Sequence, residues 1–137
     1  YQNWLNKNYP TPEVLRTKKY QVGNMAYQPL ISVIMPVFNA PEVFLREAID
    51  SVLNQVYPHW ELCIADDASS DNHVLKVLEE YSAKDSRIKV VCRNENGHIS
   101  RCSNSALEIA AGEFVALLDH DDLLIPDALY EVASLLN

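Results

Sequence analysis

The sequence predicts an α/β fold: a Rossmann-like, mostly parallel sheet with helices on both faces and the strand order 3-2-1-4. Two observations lead there. Four short apolar runs, Ile31 to Met35, Trp60 to Ala65, Ile88 to Cys92 and Phe114 to Leu118, are each followed by a stretch with helical spacing. Strand and helix alternating in this way call for parallel strands joined by crossover helices. Such crossovers are right-handed, which favours placing the second strand between the first and third, and the fourth beside the first.

Residues 1–28 carry no clean period and read as a linker or lead-in helix from a preceding region. Thr11 suits an N-cap and Pro12 the first helical position, with Val14, Leu15 and Tyr20 available for docking. The domain proper is expected over residues 29–137. Its first strand is expected to end at Pro36, leaving Val37, Phe38 and Asn39 in a loop. A helix from Pro41 to about Gln55 carries the stripe Phe44 or Leu45, Ala48, Ile49, Val52 and Leu53. The second strand delivers Asp66 and Asp67 at its end. Residues 68–72 form a turn, with capping the expected task of Asp66 and Asp71. A helix over about His73 to Ala83 turns Val74, Leu75, Leu78 and Tyr81 inward.

After the third strand, Asn96-Gly97 is a strong turn signal. A helix from about Ser100 to Ala111 follows, with Gly112 placed to end it. The fourth strand is a short continuous apolar run, which reads as buried on both faces. Pro126 opens a last helix with Leu129, Val132, Ala133 and Leu136 on its inner side.

With 137 residues the chain is long enough for one well-packed domain. A formal charge of −8 argues against nucleic acid as a partner, since phosphate backbones need a basic surface. No apolar run approaches the ~20 residues of a membrane span. The odd count of three cysteines, Cys63, Cys92 and Cys102, in or beside apolar stretches, suggests reduced core residues in a cytoplasmic protein. The chain opens on Tyr1 and has methionine only at 25 and 35, so a piece of a longer polypeptide is expected.

The fourth strand runs into Asp119-His120-Asp121-Asp122. Alternation along an extended chain would send Asp119 and Asp121 to one side and His120 to the other. Paired carboxylates suit a hard divalent cation, Mn²⁺ or Mg²⁺; one of the acids could instead only cap a turn. In the predicted order the first and fourth strands meet at the topological switch point, where open α/β sheets bind ligands beyond their carboxyl ends. Pro36 to Asn39, Asp67 and Asp119 to Asp121 therefore converge on one rim. No G-x-G-x-x-G follows the first strand and no P-loop is present, which argues against nicotinamide, flavin and P-loop chemistry. A haloacid-type phosphatase is disfavoured by Leu123 and by the position of the acids after the fourth strand. A sugar-1-phosphate nucleotidyltransferase would need a glycine- and arginine-rich first loop, and PVFNAPE is not one. A non-catalytic nucleotide-binding module stays open.

The set ISVIMPVFN, LNQVYPHWEL, IADDASSD, NGHISRCSNSALEIAAGEF and LDHDDLLIPDAL, in this order, resembles the family 2 glycosyltransferases over about Pro29 to Asn137. It is most similar to the bacterial branch acting in cell-surface polysaccharide or O-antigen assembly. The resemblance implies a glycosyltransferase type A fold, truncated, and an inverting transfer from a nucleoside-diphosphate sugar, UDP-linked, to a saccharide acceptor. It also implies roles. Pro36, Val37, Phe38 and Asn39 would line the base and ribose pocket, and Asp67 would accept the uracil N3–H. Asp119 would reach the ribose or the metal, and Asp121 would ligate the metal, Mn²⁺ or Mg²⁺. Phe38 stands where many relatives carry Tyr, and Arg101 where a small residue is common. The catalytic base is expected beyond Asn137, so the fragment alone is expected to bind a donor without transferring its sugar. Its location is expected to be cytoplasmic, or at the inner face of the membrane through other parts of a longer chain. The open outer edge of the fourth strand invites self-association.

Overall fold

The computed structural model describes residues 8–137. Helix α1 (Pro12–Val22) precedes four βα units: β1 (Ile31–Val37), α2 (Glu42–Leu53), β2 (Trp60–Asp66), α3 (Asn72–Lys84), β3 (Ile88–Cys92), α4 (His98–Glu108), β4 (Phe114–Leu117) and α5 (Ala128–Leu135). All strand pairs are parallel, in the order β3-β2-β1-β4. The expected order is the observed one.

β1 and β2 are central and buried on both faces, as their unbroken apolar runs require. β1 runs two residues further than expected, through Pro36 and Val37. Proline is tolerated here because of the side its nitrogen faces. Ile31 donates to His59 on the β2 side, whereas Ile34 accepts from Leu118 on the β4 side. Alternation turns the Pro36 nitrogen towards β4, whose ladder has already stopped at Ile34–Leu117, so no bond is lost.

β4 corrects a second expectation, because only one of its faces is covered. Phe114 and Ala116 pack on the core under α2, α3 and α5, while Val115 and Leu117 are exposed, Leu117 by 77%. Helix α4 lies across β1, β2 and β3 and leaves this edge strand bare. Its own small core joins Cys102 and Ala106 to Ile34, Cys63 and Ala65.

Other inner faces shift by a residue or two. Val77, not Leu75, faces inward from α3, and Tyr130 replaces Val132 and Leu136 on α5. Pro126 lies in the turn before α5 rather than in it. Cys92 is exposed at the end of β3, so only Cys63 and Cys102 are core residues. On α1 the Thr11 cap forms as expected, but Val14 and Tyr20 are exposed. The helix docks instead through Val22, through Lys18 paired with Asp127 and Glu131, and through Gln21 accepting from the Tyr130 hydroxyl.

Gly112 does not end α4, which stops at Glu108. It lies where the chain crosses β1, and a Cβ there would sit 2.5 Å from Ser32 Oγ. Ser32 donates to buried Glu61, which also accepts the Gly112 N–H and pairs with Lys89 at 2.7 Å. Burial alone would raise the Glu61 pKa; the Ala111 N–H, Lys89 and Ser32 outweigh it and hold the carboxyl at about 2. This knot fixes the start of β4 at the end of the sheet opposite the functional rim.

Candidate functional site

At the carboxyl ends of β1, β2 and β4 lies a cavity of about 560 Å³. Pro36, Val37, Phe38, Asp67, Asp119, His120 and Asp121 line it, together with Asn96 from the β3–α4 connection and His98, Ile99 and Cys102 from α4 itself. Among the described residues the three non-glycine residues with positive φ, Asn39, Ala68 and His98, follow β1, β2 and β3 on this same rim. Such backbone conformations cost ~1–3 kcal/mol each and persist only where neighbours over-determine them.

Asp67 is 2% exposed and strongly held. Its own N–H donates to the Val37 carbonyl at 2.8 Å, locking the end of β2 to the end of β1. Its Oδ1 and Oδ2 both accept the Gly97 N–H, and Arg93 Nε forms an ion pair with Oδ1 at 2.8 Å. Arg93 is fastened in turn, because its Nη1 donates to the Arg101 carbonyl and to Ser105 Oγ. The β3–α4 connection is thereby drawn over the cavity.

Asn39 is the expected pocket residue that does not line the cavity. Its Oδ1 accepts the Ser70 and Asp71 N–H groups at 2.8 and 3.2 Å, and its own N–H donates to Ser69 Oγ. At φ 45° it occupies the left-handed region that Asn tolerates better than most residues. Its visible task is to join the β1 and β2 loops. The capping expected of Asp71 is not made, since its side chain forms no capping bond on α3. Asp66 does hold its turn, by accepting the Ser69 N–H.

His120 lines the cavity beside Asp119 and Asp121 rather than pointing away. The ladder has ended by Leu117, and Asp122 N–H to Asp119 carbonyl closes a turn, so strand alternation no longer applies. His120 Nδ1 lies 3.4 Å from the Pro36 carbonyl, which ties the turn to β1. Phe38 lines the cavity and is 46% exposed. Below it Cys102 is buried, its thiol donating to the Ala65 carbonyl; burial pushes its pKa up, so it remains a neutral thiol.

Among the described residues no three His, Cys, Asp or Glu side chains come together as a ready cation cage. Asp119 and Asp121 nonetheless suit Mg²⁺ or Mn²⁺, which commonly take one or two carboxylates and complete their shell with phosphate oxygens and water. The contributions of Asn96, His98, Ile99 and Cys102 were not foreseen, although the Asn96-Gly97 turn marked where the chain would bend towards the rim.

Residues 32–137 match the model of the glycosyl transferase family 2. A Sinorhizobium fredii relative, the uncharacterized protein y4gI, is 55% identical over 109 residues, 80% of this chain and 12% of its own length. The Escherichia coli UDP-Glc:alpha-D-GlcNAc-diphosphoundecaprenol beta-1,3-glucosyltransferase WfgD is 45% identical over 100 residues, 73% of this chain and 38% of its own length. Among solved structures, S. aureus TarS 1-349 in complex with UDP-GlcNAc superposes with a TM-score of 0.70 at 33% identity, covering 77% of this chain and 30% of that one. The chain thus spans less than half the length of each.

Proposed function

This chain belongs to glycosyl transferase family 2, and on that premise we propose that it forms the nucleotide-sugar-binding part of an inverting glycosyltransferase. The donor is a nucleoside-diphosphate sugar, UDP-linked, and the acceptor a saccharide of cell-surface polysaccharide or O-antigen synthesis. One observation carries the reading: Phe38, Asp67, Asp119 and Asp121 come from three separate strand ends and line one cavity at the switch point. The UDP-Glc in the name of WfgD and the UDP-GlcNAc bound to TarS support the choice of uridine.

In this reading the Phe38 ring packs on the base. Asp67, held in place by Arg93 and the Gly97 N–H, accepts the uracil N3–H. Val37 and Cys102 supply apolar floor that keeps water from competing for that bond. Asp119 and Asp121 would hold Mn²⁺ or Mg²⁺, whose contribution when bound is to neutralise charge on the leaving diphosphate. Arg93 is engaged with Asp67, so its guanidinium is not free for the phosphates.

A cytoplasmic location belongs to the same reading, supported by three cysteines of which none is paired. No helix among the described residues is long and apolar enough to cross a membrane. Self-association through the outer edge of β4 is also part of it, since among the described residues β4 pairs only with β1. Sedimentation would test that point. The central test is calorimetric titration of the chain with UDP, GDP and ADP, each with Mn²⁺ and with EDTA. UDP should bind tightest and more tightly with Mn²⁺. Preference for another base, or indifference to the cation, would overturn the corresponding half of the reading.

A further inference from the structure

We infer that Gln55 is a positioning residue for the Asp119–Asp121 turn. The inference rests on the reading of that turn as the cation and diphosphate element.

Residues 118–127 belong to no helix or strand, so the turn has no ladder to hold it. At its front, Leu118 N–H donates to Ile34 and the chain then leaves β1. Behind it, the fastening comes from the end of α2. Gln55, 8% exposed, donates through Nε2 to the Ile125 carbonyl at 2.7 Å and to the Ser51 carbonyl at 3.0 Å. Its Oε1 accepts the Leu129 N–H at 3.0 Å. Two neighbours complete the bracket: Val56 N–H donates to the Pro126 carbonyl, and Ser51 Oγ accepts the Leu124 N–H.

The chemistry calls for an amide at position 55. One end must donate to carbonyls and the other must accept an N–H, within a buried site. A carboxylate would set an oxygen against the Ile125 carbonyl, and an apolar side chain would leave buried backbone groups unpaired. Ile125 is four residues from Asp121, so slack at position 125 is passed to the acids through a short, irregular segment. Coordination geometry tolerates little displacement, and a loosened turn should lose the cation before it loses the base.

The test uses Gln55→Met, which keeps length and removes both polar ends, and Gln55→Glu, which keeps the acceptor alone. Circular dichroism melts establish folding. Hydrogen exchange at the Asp122 amide reports the turn, and UDP titrations with EDTA and with Mn²⁺ report the site. Both variants should exchange Asp122 about tenfold faster, bind UDP in EDTA as the wild type does, and lose about tenfold of the Mn²⁺ enhancement, with Met the more affected. If neither variant folds, Ser51→Ala, which removes the acceptor of the Leu124 N–H and a hydroxyl bond to the Ala48 carbonyl within α2, should give the same pattern more weakly. Unchanged Asp122 exchange, or full Mn²⁺ enhancement in a folded variant of a wild type that responds to Mn²⁺, would overturn the inference alone. A wild type indifferent to Mn²⁺ would overturn the functional reading and the inference with it.

Discussion

The Gly97 N–H is shared by both carboxylate oxygens of Asp67, at 2.9 and 3.1 Å. This bond connects the end of β2 to the N-cap of α4 and gives the cavity a wall that β3 does not supply. Gly97 is also tightly enclosed: a Cβ would lie 2.5 Å from Arg93 Nη2 and 2.9 Å from Arg101 Cβ. Gly97→Ala should displace the Arg93 clasp and weaken UDP binding by about tenfold, or about 1.4 kcal/mol. Calorimetry on the folded variant checks this, and wild-type affinity would show that the clasp does not shape the pocket.

Asp67→Asn keeps one acceptor for Gly97 but exchanges the other oxygen for a donor and strips Arg93 of its counter-charge. A mismatched polar pair in a desolvated pocket costs ~1–3 kcal/mol, so UDP should bind roughly ten- to a hundredfold more weakly. Unchanged UDP affinity would remove Asp67 from base recognition.

Asp121 is exposed on the cavity rim, where substitutions usually change stability by less than ~0.5 kcal/mol. Asp121→Ala should therefore melt like the wild type and still bind UDP in EDTA, yet gain nothing from Mn²⁺. Persisting enhancement in that variant would pass the cation to other ligands.

Glu61 supplies a pH signature unrelated to the site. Its folded pKa of about 2 lies below the ordinary 4.5. Its stabilisation is therefore complete above pH 4.5 and lost as pH falls towards 2, amounting to on the order of 3 kcal/mol. Urea midpoints of wild type and Glu61→Gln should differ most above pH 5 and converge near pH 2. A gap independent of pH would mean that the carboxylate charge is not what matters there.

The fold was legible because period and polarity are local signals that the central strands obey. Strand order followed from handedness alone, and with it the gathering of Asp67 and Asp119–Asp121 on one rim. The errors sit where a residue's task depends on what lies opposite. Val115 and Leu117 read as buried because an apolar run looks the same whether or not a helix covers it. Asn39 suits a ligand contact and a loop clasp equally well, and only the fold brings Ser70 to it. His120 was misjudged by extending strand alternation past the last ladder bond. Gln55 left no trace in the pattern, since periodicity finds apolar stripes and does not register a polar residue placed beside one.

The three thiols divide between surface and core, and this makes the chain its own reporter of where it opens. Cys92 meets solvent directly, whereas Cys102 on α4 and Cys63 on β2 share the small core between that helix and the sheet. An alkylating reagent should consume Cys92 first and the other two together, their labelling timing the lifting of α4 from the sheet. Cys102 also lines the cavity, so an occupant should slow its labelling while leaving Cys92 unaffected. Occupancy and unfolding would then be recorded by the same three atoms in a single time course.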